Sequence, residues 1–362
     1  MPHRSFLHTI RHGTPRAAGP PTMANDRSRV LITGITGRIG SHLTSELLAR
    51  DVAVRGFVMP NDPLRSEVDP AVEVVEGSLD DAVALDAAVA HVSHIVHLAA
   101  VILYQPHQDD LIWRVNVEGT RNLMRAIQQR PPSPLRLLFA SSDQVYPGPF
   151  PKYTPTDEEH PLEPTTAYGI SKLVGEELTR HTARVVPNCR FTIVRFCHNQ
   201  TWQEILDPHG FFAERQFYVK GRLAWLLDSG RTDSVTTESI RRLRAVDADD
   251  NPLLLSLTDT GEPLVLEMMD TRDIAAGLVP ALFRPEAEDN VYNFAPDSTM
   301  SFTEVVPYMG RALDKRWVEV KLPGAPARSN LSGAKAMRDL GVRARYSVFN
   351  MIDEAWQASL GQ

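Results

Sequence analysis

Tyr168 and Lys172 stand four residues apart in Tyr168-Gly169-Ile170-Ser171-Lys172, a spacing that puts a phenol and an ammonium on one helical face. Such a pair suits oxidation or reduction at an alcohol carbon, where a proton must leave or join the oxygen as hydride moves. A free phenol, with a pKa of about 10, is a poor base at neutral pH. A nearby cation favours the phenolate and brings it toward working range. Ser142, which follows Ser141 at the end of an apolar run, carries a hydroxyl able to hold the substrate oxygen in line. The bland alternative makes Tyr168 a half-buried helix residue, Lys172 a solvated charge and Ser142 a cap. The catalytic candidates are Ser142, Tyr168 and Lys172.

A second group supplies the hydride partner. Thr33-Gly34-Ile35-Thr36-Gly37-Arg38-Ile39-Gly40 lies where an apolar run hands over to a helical pattern. Glycines at 34, 37 and 40 give a tight turn, close backbone approach to a diphosphate, and helix packing against a strand. The helix N-terminus then offers free N–H groups and a positive dipole end. The expected ligand is NAD or NADP. An acid ending the second strand would hold the ribose 2′-OH of NAD, but Val58 and Met59 stand there, and Asp62 is the nearest candidate. Arg38 could pair with a 2′-phosphate or be solvated, so the two dinucleotides stay undecided.

These residues need elements to position them. Val30–Ile32, 52–58, 72–75, 95–98, 135–140 and 191–196 read as strands. Helical patterns cover 39–49, 80–90, 109–130 and 166–184. Strands alternating with helices imply crossover connections and a parallel sheet, and continuous Val/Ile/Leu runs imply strands buried on both faces. The class is α/β, a doubly wound parallel sheet. Ser141 and Ser142 fall at its carboxyl edge, where open sheets of this kind bind ligands. After about residue 200 the alternation decays. Residues 213–260 show no clean periodicity and read as an insertion in a smaller cap. Residues 268–282 and 291–294 are expected to return to the main sheet, with further cap helices over 301–362. Residues 1–28, rich in Arg, Pro and Gly with no acid before Asp26, read as a disordered tail or an early start, Met23 being an alternative start.

Composition narrows the classes. Of 362 residues, 43% are hydrophobic, enough for a large core. A net charge of -7 gives no basic field for nucleic acid. Arg241-Arg242-Leu243-Arg244 reads as a solvated face. No apolar stretch reaches membrane length. Cys189 and Cys197, the only cysteines, are too few for a disulfide framework and read as reduced thiols of a cytoplasmic protein. His91, His94 and His97 look metal-like by spacing, but a strand turns His94 and His97 to opposite faces, so no metal is expected.

The ordered motifs resemble the extended short-chain dehydrogenase/reductase family, the NAD-dependent epimerase/dehydratase group. The similarity runs from about residue 29 to the end and is strongest up to 196. It rests on the glycine turn, His97-Leu98-Ala99-Ala100, Asn116-Val117-Glu118-Gly119-Thr120, Ser141-Ser142-Asp143-Gln144-Val145-Tyr146, and Tyr168 with Lys172. Asp270-Thr271-Arg272-Asp273-Ile274-Ala275 looks like the family's return segment, and 334–341 like its C-terminal helix. The resemblance implies a Rossmann domain over 29–200 with a return segment at about 268–296. It also implies a C-terminal substrate-binding cap over 201–267 and 297–362. It makes Ser142 the orienting hydroxyl, Tyr168 the acid/base, Lys172 a ribose-binding charge and Asn116 a supporting residue. Cofactor contacts are expected at Gly34, Gly37, Arg38, Ile39 and Gly40, then Ser78, Leu79, Leu98, Ala99 and Ala100. Asn116, Ala140, Tyr168, Lys172 and Phe196 complete the set. Substrate contacts are expected at Ser142, Asp143, His198 and Asn199. A homodimer joined through the helices at 109–130 and 166–184 is also implied.

Departures reshape the expected substrate. Ser78 stands where relatives often carry an acid. His198 replaces an Asn after the sixth strand, and no Arg-x-Gly-Asp element is evident around Lys321-Leu322-Pro323-Gly324. These weaken a nucleotide-sugar substrate and leave a sugar-like secondary alcohol or ketone. Net dehydrogenation and epimerisation through a ketone both fit; nucleotide-sugar 4-epimerase and 4,6-dehydratase are the alternatives. Asp143 suits elimination, but Gln144 cannot supply the partner carboxylate. A dinucleotide-sensing regulator without turnover is the reading from another class, and it has no use for the Ser142, Tyr168 and Lys172 set.

Overall fold

The computed structural model describes residues 28–102, 105–131, 133–148, 151–324 and 329–360. The 1–28 tail lies outside these apart from Ser28. Seven parallel strands form the main sheet: β1 (Arg29–Thr33), β2 (Ala53–Val58), β3 (Glu73–Glu76), β4 (His94–His97), β5 (Leu135–Ser142), β6 (Cys189–Phe196) and β7 (Asn290–Phe294). Their order is β7-β6-β5-β4-β1-β2-β3. The direction of progression reverses between β1 and β4, which opens a crevice at their carboxyl ends.

Both faces of the sheet are covered, as its apolar runs require. In β1, Val30 and Ile32 enter one core and Leu31 the other, the two-residue alternation of a strand. Helices Ala82–Val89, Gly119–Gln129 and Ala167–Val185 line one side. Helices Arg38–Leu48, Thr271–Phe283 and Ala334–Leu340 line the other. The pattern expected over 109–130 is one helical run interrupted by a wide π turn at Trp113–Glu118.

The return to the main sheet is narrower than the sequence suggests. Only Asn290–Phe294 joins it, pairing with β6. Met268–Asp270 instead pairs with His198–Gln200, a short strand just past the end of β6. Residues 213–257, aperiodic in sequence, fold as helices Ala213–Phe217, Val219–Asp228 and Ser234–Arg244 and a strand Leu253–Leu257 that pairs with Trp317–Lys321. Asp233 caps the third by accepting from the Thr236 N–H at 2.9 Å. Arg241 and Arg242 there are paired with Glu238. A second core gathers Phe212, Phe217, Phe302 and Met351. Leu331, Ala336 and Leu340 side with the main sheet.

Candidate active site

The glycine turn closes against the end of β4. Gly34 has φ +73°, and a Cβ there would lie 2.8 Å from the Ala99 nitrogen; one on Gly40 would lie 2.2 Å from the Gly34 oxygen. Both positions exclude a side chain, and the backbone is left bare for a ligand. Gly37 starts helix Arg38–Leu48 with no side-chain cap and no acid in the first turn, so the N–H groups there are open to an anion. Thr36 Oγ1 donates to Asp62 Oδ2 at 2.8 Å, which sets that carboxylate beside the turn. Arg38 Nε donates to both oxygens of Glu204, at 3.1 and 2.7 Å. A bound dinucleotide diphosphate and ribose fit this cradle.

Helix Ala167–Val185 carries the phenol and the ammonium. Thr166 caps it, accepting from the Gly169 N–H at 3.0 Å. Gly169 lets it press on the loop after β5, since a Cβ there would meet the Gln144 oxygen at 2.2 Å; Gly175 does the same against the Phe139 ring. This close seat brings Tyr168 and Lys172 to the crevice. Lys172 Nζ donates to the Ala140 carbonyl at 2.9 Å and lies 5.6 Å from the Tyr168 ring centre. Burial pulls its pKa down to about 8. Beneath it, Ser141 donates to Glu176 at 2.7 Å, and Glu176 takes two bonds from Arg195 at 2.8 Å. Burial alone would raise the Glu176 pKa, but the Arg195 and Ser141 bonds hold it low. Arg195 continues to Tyr146 at 2.9 Å and Tyr146 to Asn293 at 2.8 Å, so the network reaches β7.

Ser142 Oγ donates to Asp143 Oδ1 at 2.9 Å. Burial pushes the Asp143 carboxyl up to about 6, against the lowering effect of the Ser142 bond. His198 stacks near Phe212 with ring centres 3.9 Å apart. Burial, then Arg215 and Arg38, hold its pKa down at about 3, so the imidazole is neutral. Its Nε2 is buried without a partner.

One cleft of about 240 Å³ collects most of the expected residues. It brings together Gly34, Gly37, Arg38, Ile39 and Gly40 with Leu98, Ala100 and Ala140. Ser142, Asp143, Tyr168, Lys172, Phe196, His198 and Asn199 complete its expected wall. Ser78, Leu79, Ala99 and Asn116 do not line it. Asn116 instead bridges: its amide exchanges 2.9 Å bonds with the Val101 backbone and donates to Ser171 at 3.1 Å. Leu79 packs under Gly119 and accepts from Asn122. His97 is locked between Thr33 and Thr120 at 2.7 and 2.9 Å, while His94 packs on Phe283. Among the described residues no cluster of metal-ligating side chains occurs, and no helix is long and apolar enough to cross a membrane. Ile102, Gln144, Cys197 and Phe211 also line the cleft and were not anticipated as site residues. Cys197 and Gln144 adjoin residues that were; Phe211, just before the aperiodic segment, carried no signal.

Comparison with known proteins gives the family and the fold. Residues 30–203 match the NAD dependent epimerase/dehydratase family. A solved short-chain dehydrogenase/reductase superfamily protein from Agrobacterium tumefaciens with bound NAD is 32% identical. The match covers 92% of this chain and 97% of that one, with a TM-score of 0.82. An Escherichia coli N-acetyl-alpha-D-glucosaminyl-diphospho-ditrans,octacis-undecaprenol 4-epimerase is 35% identical over 46% of this chain and 47% of its own. UDP-glucose 4-epimerase 2 of Oryza sativa subsp. japonica is 25% identical over 90% of this chain and 80% of its own. The chain spans about half the length of several curated relatives it matches, 47% and 58% in two of them.

Proposed function

This chain belongs to the short-chain dehydrogenase/reductase superfamily, in its NAD-dependent epimerase/dehydratase group, and from that premise we propose an NAD-dependent oxidoreductase. It acts at a secondary alcohol or ketone carbon of a sugar-like molecule. The observation that carries this reading is the buried Lys172 ammonium 5.6 Å from the Tyr168 ring, in one cleft with the glycine turn. NAD is favoured over NADP because Asp62 stands beside the turn, where it suits a ribose hydroxyl and repels a 2′-phosphate, and because Arg38 is engaged by Glu204.

Bound nicotinamide supplies the acceptor or donor of hydride. Around it, Gly34, Gly37 and the helix N-terminus bind diphosphate, and Asp62 binds ribose. Tyr168 takes the alcohol proton as phenolate, becoming phenol, and in the reverse direction gives that proton back to the ketone oxygen. Lys172, still protonated at neutral pH, stabilises the phenolate. On substrate binding the Ser142 hydroxyl turns from Asp143 to the substrate oxygen, and the neutral His198 imidazole stands ready to share a hydrogen bond with the substrate. Epimerisation through a transient ketone is the second reading, favoured by the epimerase activities named for the relatives. A cytoplasmic homodimer accords with two free buried thiols and with exposed Leu111, Trp113 and Ile170 on the two long helices.

NAD, and not NADP, is expected to raise the thermal unfolding midpoint. Tyr168→Phe is expected to keep that shift while abolishing both NADH formation and sugar interconversion across a panel of polyols. An unchanged rate in Tyr168→Phe defeats the assignment. NADH accumulation separates net dehydrogenation from epimerisation.

A further inference from the structure

Behind Asp143, Gln144 and His198, which form one wall of the reactive cleft, lies a second cavity of about 310 Å³, near the small end of ligand pockets at about 300–1,000 Å³. Glu267, Ser329, Asn330, Thr165 and Thr166 line it, and Leu264–Leu266 give it an apolar strip. Glu267 is only 2% exposed, and its Oε1 accepts the Leu331 N–H at 2.8 Å. Burial raises its pKa, and its charge adds to the rise at Asp143. The His198 Nε2, buried and unpartnered, belongs to a residue that lines both cavities. Among the described residues lining this second cavity there is no lysine or arginine.

We propose that this cavity takes the non-reacting part of a free, uncharged, hydroxyl-rich sugar-sized molecule, and not the diphosphate of a nucleotide sugar. The inference rests on the oxidoreductase reading above and names its substrate class. A half-buried carboxylate, Asp143, and a buried one, Glu267, accept hydrogen bonds strongly and, when ionised, donate none, so they match sugar hydroxyls. A diphosphate placed beside them would meet like charge in a poorly solvated space, with no cation to offset it. The orphaned nitrogen of His198, a residue that lines both cavities, pairs with a hydroxyl of the same molecule, as donor or acceptor according to its tautomer. The reacting carbon then lies toward Ser142 and Tyr168, with the rest of the ring facing Glu267.

The test is calorimetric titration of NAD-loaded protein with UDP, UDP-glucose, and a set of free aldopentoses, aldohexoses and their lactones, followed by turnover assays of the same compounds. At least one free sugar or lactone is expected to bind and be turned over, while UDP and UDP-glucose do neither. Glu267→Gln, which keeps an acceptor for Leu331, is expected to raise KM for that sugar about tenfold, the loss of one charged hydrogen bond, with NAD affinity unchanged. Thr165→Val serves as a second variant should the first fail to fold. Binding of UDP or turnover of UDP-glucose overturns the substrate class and leaves the oxidoreductase reading standing. Binding of neither group by protein that holds NAD also overturns it. Failure to hold NAD is a different result and removes the underlying reading.

Discussion

Asp143 holds a charge in surroundings that disfavour it. Its carboxyl is raised to about 6 chiefly by burial, so the folded state binds its proton more tightly than the unfolded chain does. The stability this protonated group supplies is fully present below about pH 4 and is lost as pH rises through about 6. Asp143→Asn removes that loss. The variant is expected to melt above the parent at pH 8 and level with it near pH 4, and thermal melts across that range check this. Residues at this scale differ in how far sequence reveals them. Tyr168, Lys172 and Ser142 were legible because local spacing and a strand end fix where they lie. Asp62 was legible as the nearest acid to the second strand, and it reaches Thr36. Glu267 was missed, although an acid inside Val265-Leu266-Glu267-Met268-Met269 is a signal in itself: an ionisable group in an apolar run needs buried partners. The neutrality of His198 comes from its burial first and from Arg215 and Arg38 after it, none of which its local sequence reveals.

Elements are placed here by what is missing from them. Gly169 seats the helix of Tyr168 on backbone, where a Cβ would stand 2.2 Å from the Gln144 oxygen. No rotamer change can relieve such a contact, so the helix or the loop must move. Gly169→Ala is expected to destabilise by about 1–3 kcal/mol and to lower kcat more than it weakens NAD binding. Gly230→Ala is the control: its added Cβ meets nothing within 4 Å, so the penalty is only that of a positive φ, about 1 kcal/mol. Chemical denaturation and steady-state kinetics on both variants check the contrast. The seven-stranded sheet was legible because strands buried on two faces write continuous apolar runs. The wide turn at Trp113–Glu118 was not, since one extra residue leaves composition unchanged and only shifts phase. Nor was the pairing of Met268–Asp270 with His198–Gln200, because a three-residue strand takes its partner from the surrounding fold and not from its own pattern.

At the scale of the whole molecule, the polar network under Ser141 joins pieces far apart in the chain. Glu176 on the long helix, Arg195 on β6, Tyr146 after β5 and Asn293 on β7 form one hydrogen-bonded line. Glu176 and Arg195 are both sealed from water. Removing Glu176 strands the Arg195 charge, at about 3–5 kcal/mol, whereas replacing both with well-packed apolar groups is often neutral; Glu176, by contrast, also takes a bond from Arg180 at 2.9 Å. Glu176→Gln is therefore expected to lower stability far more than a Glu176→Leu, Arg195→Met double variant, as urea unfolding of the two would show. The same asymmetry reaches into descent. Loss of the glutamate leaves the arginine buried without its counter-charge, so a lineage that has shed Glu176 is expected to have shed Arg195 with it, while Glu176 can outlast the arginine on its bond from Arg180.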